Sequence, residues 1–301
     1  MKLCIKCGSE GHANRTCTQP VTSYGVLLYK YAKEGECSGR LHPFVQSDCK
    51  THGNAENFER TVCRQNEILF YLVERKDTIG FLNIVQGNYD ENKLSYALDQ
   101  LTCEERCKIR NLPYENLWGI AGNRKKDIQR CCHKFSQVNW ASVFDMFPCK
   151  HREGDYVIPK GRLQFHESIM HCAVREFSEE SGYPEDAIEL LRFNPYEETF
   201  VGTDSKLYRN VYFVGRLKEN AQVTVHLGDD LAQSKEVRNM GWFTVQECKA
   251  LLRDYHEEKK LIIDDLYAQL TYMPSEPLVY SEWIARTSSY DKIERYIRTK
   301  N

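Results

Sequence analysis

One stretch restricts the fold more than any other: a glycine-led segment that runs into a helix crowded with glutamates, Gly161-Arg-Leu-Gln-Phe-His-Glu167-Ser-Ile-Met-His-Cys-Ala-Val-Arg175-Glu176-Phe177-Ser-Glu179-Glu180-Ser-Gly182-Tyr183. Ile169, Ala173 and Phe177 recur every four residues and make one apolar stripe, which a helix buries against a core. Gly161 permits the backbone conformations of a tight turn, and Gly182 stands where a helix commonly ends in the left-handed region. Glu176 and Glu180 fall one helical turn apart on one face, with Glu179 beside them. Three carboxylates this close repel, and a hard divalent cation reverses that sign. Mg²⁺ or Mn²⁺ takes oxygen ligands in octahedral geometry and leaves room for waters and substrate phosphates. The segment therefore reads as one helix serving both a core and an accessible, pyrophosphate-cleaving metal site. The plainer alternative is a solvated acidic helix with Arg175 as an internal ion-pair partner.

The spacing Gly-x5-Glu-x7-Arg-Glu-U-x-Glu-Glu-x-Gly-U, with U apolar, resembles the Nudix box of the Nudix hydrolases, and every position is matched. That resemblance implies that Glu176, Glu179 and Glu180 are metal ligands, and that Glu167 and Arg175 brace the loop against the helix. Members of the family often need a further base from outside the box. Glu236, ahead of Trp242, looks like the acidic residue that precedes a Trp-containing strand in decapping relatives.

The amino terminus carries Cys4-Ile-Lys-Cys7-Gly-Ser-Glu-Gly-His12-Ala-Asn-Arg-Thr-Cys17. Three thiolates and one imidazole fill a tetrahedral Zn²⁺ shell and leave no open position, so a structural rather than catalytic site is expected. The segment resembles the zinc knuckles of retroviral nucleocapsid and other RNA-handling proteins, which are used on single-stranded nucleic acid. It is too short to build a core, so metal binding supplies its folding free energy and a metal-free knuckle is expected to be disordered.

The 301-residue chain has a formal charge of −2, so any nucleic-acid contact must be local. No apolar run is long enough to span a membrane, and Met-Lys-Leu-Cys-Ile-Lys is not followed by the apolar region of a secretory signal. Thirteen cysteines, an odd number that includes the adjacent Cys131 and Cys132, argue against a disulfide framework. A soluble protein of a reducing compartment is expected, with cytoplasmic placement, in the host if the chain is viral. Cys37, His42, Cys49, His52 and Cys63 form one further polar group, and Cys103, Cys107, Cys131, Cys132, His133, Cys149 and His151 a looser one. Neither repeats a familiar paired spacing, and buried or idle thiols are the default reading.

In order along the chain, residues 1–19 read as the knuckle and 20–275 as the Nudix domain, with the box at 161–183 and a helical tail at 276–301. Strand-like runs begin at Ser23 and Glu67 and form an expected hairpin whose connection, 34–66, is a long loop. Residues 78–140 read as a helical insertion, with Thr102 and Glu105 as a capping box. Its Arg124, Lys125, Lys126, Arg130 and Lys134 could track phosphates or form a solvated face. Further strands are expected at Glu189–Phe193, Glu197–Val201, Asn210–Leu217 and Met240–Phe243, then a capping box at Thr244 and Glu247 opening a closing helix. The expected class is α+β: a Nudix α-β-α sandwich with a helical insertion and a small N-terminal zinc knuckle.

The box leaves the substrate open. The insertion, from Thr78-Ile-Gly-Phe81 through Leu101-Thr-Cys-Glu-Glu105 to Tyr114-Glu-Asn-Leu-Trp118, resembles Nudix decapping enzymes of large cytoplasmic DNA viruses, the poxviruses and giant viruses. Tyr156-Val-Ile-Pro-Lys160-Gly161-Arg162 looks like the Pro-Lys-Gly segment of eukaryotic decapping proteins. These resemblances imply removal of the 5′ cap from capped RNA, with release of 7-methyl-GDP and a 5′-monophosphate RNA. On this reading Glu176, Glu179 and Glu180 hold the metal, Glu236 is the candidate base, and Lys160 and Arg162 steady the phosphates. Phe81, Tyr208 and Asp204 are candidates for stacking and pairing with the cationic methylated guanine. The alternatives are a hydrolase of diphosphoinositol polyphosphates or dinucleoside polyphosphates, and an RNA-binding Nudix protein without turnover.

Overall fold

The computed structural model describes residues 3–40, 62–89, 94–122, 126–202, 205–219, 221, 236–272 and 279. Its hub is β1 (Val21–Tyr31). Successive side chains of a strand point to opposite faces, and here both faces are apolar: Val26 and Leu28 enter one core, Leu27 and Tyr29 the other. β3 (Ile68–Arg75) repeats the pattern, with Tyr71 and Val73 on the first side and Phe70 and Leu72 on the second. Such strands must be covered twice, which requires a three-layer arrangement.

The sheet is mixed. β1 runs parallel to β8 (Leu207–Leu217) and antiparallel to β3, and its first half pairs with β5 (Lys160–Arg162). The main order is β2-β9-β3-β1-β8-β6, where β2 is Gly39–Arg40, β6 Ile188–Leu190 and β9 Val237–Phe243. β4 (Tyr156–Val157) pairs with β3, and β7 (Tyr196–Val201) with β8. β2 lies inside the stretch expected to be loop; Gly39 and Arg40, too short a run to read as a strand, pair with Trp242 and Gly241 of β9. The His42, Cys49 and His52 positions lie outside the described residues.

Between β3 and β4 the helical insertion folds around a core of its own. It comprises α1 (Ile79–Val85), α2 (Leu94–Gln100), α3 (Cys103–Asn111), α4 (Tyr114–Ala121), α5 (Ile128–Ser136) and α6 (Trp140–Met146). It therefore runs past the expected end at residue 140, because Asn139 caps one more helix whose Trp140 and Phe144 close the insertion's core. The capping box is present at Thr102 and Glu105. Glu105 has a second use the sequence did not disclose, accepting from the N–H and hydroxyl of Thr78 at 2.6 and 2.8 Å and so joining the starts of α1 and α3.

α7 (Ile169–Ser181) covers one face of the sheet; α8 (Val245–Leu251), opened by the Thr244–Glu247 capping box, and α9 (Glu257–Tyr272) cover the other. The helix expected after Thr244 runs to Leu251, and α9 follows as a separate helix after Leu252. Among the described residues no helix is long and apolar enough to cross a membrane. Of the expected tail, only Val279 is described, bridged to Leu191.

Candidate active site

Ser168 caps α7 through the His171 N–H, and Gly182 ends it at φ 76°, ψ 3°. Ile169, Ala173 and Phe177 are buried against the sheet, joined by Met170 and Cys172. Below them Tyr71, Tyr183 and Trp242 pack edge to face; the Tyr71 hydroxyl donates to the Ser181 carbonyl and the Trp242 indole to the Tyr183 oxygen. The helix is therefore held at its middle and at its end.

On its other side Arg175 is a hub. Nε and Nη2 donate to the two carboxylate oxygens of Glu167 at 2.6 and 3.1 Å, Nη1 reaches Glu179 at 2.9 Å, and Nη2 reaches Glu176 at 2.9 Å and the Arg162 carbonyl. Glu167 also accepts from the Gln164 N–H. Burial would raise its pKa, but the Arg175 hydrogen bonds outweigh that and hold it below the ordinary carboxylate value. The loop from Gly161 to Glu167 is thereby strapped to the helix.

Gly161 is not needed for a turn. It lies inside β5, opposite Tyr24 of β1, and has no positive φ. A Cβ there would sit 2.0 Å from the carboxyl carbon and one oxygen of Glu176. The position is glycine because the Glu176 carboxylate occupies the space of a side chain.

The glutamates are not equally accessible. Glu179 is exposed, Glu176 intermediate, and Glu180 buried, contrary to the open carboxylates expected, because α7 packs against β5 at the Lys160 backbone. The Lys160 N–H donates to Glu180 at 3.2 Å. Glu180 is pushed up to about 7: burial raises it most, Lys160 and Arg75 pull it down, and Glu236 and Glu176 raise it. Glu176 is raised as well, first by burial, then by Glu179 and Glu236 against the pull of Arg175. So the fold brings Glu236, which is exposed and distant in sequence, into electrostatic reach of Glu176 and Glu180. An all-oxygen set of partly desolvated, mutually repelling carboxylates suits a hard divalent cation.

Cations face this group. Lys160 is half-buried and its pKa falls to about 8, mainly through burial, then through Arg75 and Lys259, against Glu180 and Glu198. Arg75, the last residue of β3, was missed by sequence reasoning; its Nε is buried and unpartnered among the described residues. Behind Lys160 lies a buried pair, Lys259 and Glu198, at 3.0 Å, also absent from the sequence reading. Only the strand-end position of Arg75, just before a loop, was a visible signal.

The NUDIX domain family matches residues 141–266, which contain α7, β5 and this carboxylate group. Residues 141–266 therefore carry a NUDIX domain. Its enzyme class is pyrophosphohydrolase, and Nudix enzymes generally use divalent metals. A protein named "Putative mRNA-decapping protein" in Acanthamoeba polyphaga mimivirus is 26% identical, over 88% of this chain and 93% of its own. The mRNA-decapping protein g5R of African swine fever virus (isolate Pig/Kenya/KEN-50/1950) is 25% identical over 51% of this chain and 68% of its own. Among solved structures, a C. elegans Ap4A hydrolase binary complex aligns over 83% of this chain and 97% of its own, with 10% identity and a TM-score of 0.40.

Around the Nudix domain the remaining candidates separate. Cys4, Cys7, His12 and Cys17 converge with all ligand atoms within 4.8 Å of one another, so the donor set fits a zinc ion. No such convergence occurs for Cys63, Cys103, Cys107, Cys131, Cys132, Cys149 or the histidines near them among the described residues. Phe81 is fully buried in the insertion's core, so it has no ring face to offer a base. Tyr208 lies on β8 and stacks on Phe200, with centroids 5.7 Å apart and planes at 19°. Arg162, the second residue of the box, is exposed, and Asp204 lies outside the described residues.

Among the described residues of the insertion's basic face, two lysines are spent internally. Lys126 Nζ donates to the Gln86 carbonyl at 3.0 Å and to Asn88, and Lys134 Nζ donates to the Gly87 and Tyr89 carbonyls. These ammonium groups satisfy the end of α1. Arg130 is exposed, and Arg124 and Lys125 lie outside the described residues.

Proposed function

We propose that this protein removes the 5′ cap of mRNA, hydrolysing the cap's pyrophosphate linkage to release 7-methyl-GDP and a 5′-monophosphate RNA. The reading is carried by the mimivirus relative, whose similarity covers 88% of the chain and so extends well beyond the Nudix domain at 141–266. Glu176, Glu179 and Glu180 are the proposed ligands of Mg²⁺ or Mn²⁺. Such an ion, when bound, neutralises phosphate charge and lowers the pKa of an attacking water. Glu236 is the proposed base that takes the water's proton as the phosphate on the RNA side is attacked.

Lys160 and Arg75, with Arg162 beside them, supply positive charge to the phosphate chain as charge develops on it. Arg175 and Glu167 do not meet the substrate; they hold the loop and the helix in register. The Tyr208 and Phe200 pair is the remaining aromatic candidate for the cationic methylated base. Cys4, Cys7, His12 and Cys17 would hold Zn²⁺ and present the knuckle to capped RNA. The setting that suits this activity is the cytoplasm, that of the host if the chain is viral.

A single incubation tests the reading: cap-labelled RNA, free cap dinucleotide and diphosphoinositol phosphate together, in magnesium or manganese. Labelled 7-methyl-GDP released from the RNA is the expected product. Consumption of the inositol compound alone would make the decapping reading wrong, and no consumption of any of the three would point to an RNA-binding protein without turnover.

A further inference from the structure

The knuckle is not held at a distance from the Nudix domain on a tether. Cys4 and Cys7 are buried, and Leu3 packs against the core beneath α7. The Thr22 N–H donates to the Lys6 carbonyl at 2.6 Å, and the buried Tyr24 hydroxyl donates to the Cys7 carbonyl at 3.1 Å. Gly8, at φ +74°, comes so close that a Cβ there would lie 1.9 Å from the Tyr24 hydroxyl oxygen and 3.4 Å from Cγ2 of Ile169. Ile169 is the first residue of α7, the helix of Glu176, Glu179 and Glu180. Tyr24 is also the β1 partner of Gly161, the residue whose missing side chain makes room for the Glu176 carboxylate. One tyrosine thus meets the knuckle through its ring and the strand bordering the acidic helix through its backbone.

The geometry points to Tyr24 as a positioning residue through which a zinc-loaded knuckle holds the start of α7 and the Gly161 strand against the Glu176 carboxylate. The knuckle has no core of its own, so its folded loop persists only while its four ligands share a metal ion. When the loop is folded, the Cys7 carbonyl and the Gly8 backbone press on Tyr24 and Ile169. When the metal leaves, the Tyr24 hydroxyl loses that acceptor and Ile169 loses its cover, and the first turn of the helix loosens. Binding at the knuckle therefore raises the affinity of the acidic site for its own cation, and the coupling is reciprocal. This role acts on every substrate, with or without RNA. It rests on the acidic helix being the Nudix metal site and not on the cap being the substrate.

The test uses the full-length protein, stripped of zinc by a chelator that leaves Mg²⁺ free, and then given zinc back. Without substrate, two quantities are read: amide exchange at residues 168–173, and Mn²⁺ affinity from the free-ion spin-resonance signal. Zinc removal is expected to speed exchange in the first turn by about tenfold and to weaken Mn²⁺ binding by about fivefold, with both restored by zinc. Gly8→Ala, which keeps all four ligands, is expected to reproduce both changes. Tyr24→Phe removes the oxygen that the new Cβ would strike, so the double variant is expected to recover part of the loss, a non-additivity that general destabilisation does not produce. If stripping zinc changes exchange only within residues 3–17 and leaves Mn²⁺ binding alone, the proposal is overturned while the decapping reading stands. Strictly additive effects of Gly8→Ala and Tyr24→Phe would overturn it too.

Discussion

Gly161 shows how a single atom sets this site. A methyl group at that position competes with the Glu176 carboxylate for the same volume, so Gly161→Ala is expected to displace Glu176 and lower kcat by about a hundredfold. The melting temperature should change little by comparison, since the overpacking is confined to a partly open edge. Steady-state kinetics beside a thermal melt distinguishes this from misfolding. The need for glycine was visible in the sequence, but its reason was not, because Glu176 approaches from a segment that the chain reaches only after a helix begins. Arg75 was invisible for the same reason: it comes within reach of Glu180 and Lys160 only when β3 is laid between β4 and β9. Arg75→Met is expected to raise KM for phosphate-bearing substrate more than it lowers kcat, and equal losses in both would remove it from phosphate binding.

At the scale of elements, side chains that looked available for a partner are tied into helix ends. Lys134 lies 4.2 Å from the Tyr89 ring centroid and caps the carbonyls that follow α1. Lys134→Met should destabilise the insertion by about 1–2 kcal/mol and leave the salt dependence of RNA binding unchanged. A shallower salt slope would return the residue to the RNA-binding face. The junction of α9 has a pH dependence of definite sign. Burial lowers the pKa of His256 from 6.5, against the pull of Asp155, and Lys259 lowers it further. The neutral ring fits, accepting from Lys259 at Nδ1 and donating from Nε2 to Asp155. Its contribution is present above pH 6.5 and is lost as the pH falls toward the depressed value. Burial raises Asp155, but His256, Arg253 and Lys259 together lower it below 3.8, so its share is lost only at still lower pH. The urea midpoint of the native protein is therefore expected to fall as the pH drops below 6.5, and His256→Gln to flatten that part of the curve.

Across the whole molecule, an insertion with its own core must be joined to a sandwich with two. Arg253 makes much of that joint: Nη1 donates to the Gln100 carbonyl at the end of α2, Nη2 to the Glu153 carbonyl, and the guanidinium faces Asp155. Arg253→Met should lower stability by about 2–4 kcal/mol, since Asp155 stays buried. It should also split one thermal transition into two, the insertion melting apart from the Nudix domain. A single transition that merely shifts would mean the two cores are coupled elsewhere. The knuckle is joined more tightly than its sequence implied, through Tyr24 and Ile169 rather than through a linker alone.

The longer strands and the capped helices were legible in the sequence because they rest on local physics: period two in β1 and β3, period four along α7, and capping boxes at Thr102 and Thr244 whose partners lie within one turn; the two- and three-residue strands β2, β4 and β5 exist only through their partners. The spacing of Glu176, Glu179 and Glu180 is likewise local, and so is that of Cys4, Cys7, His12 and Cys17. Only the tertiary structure decided which of these groups are buried, that the charges of Glu236 and Arg75 come within reach of Glu180, that Phe81 is core, and that the knuckle rests on the helix of the glutamates. Burial and long-range charge depend on residues brought together from distant parts of the chain, and no periodicity within a segment encodes them.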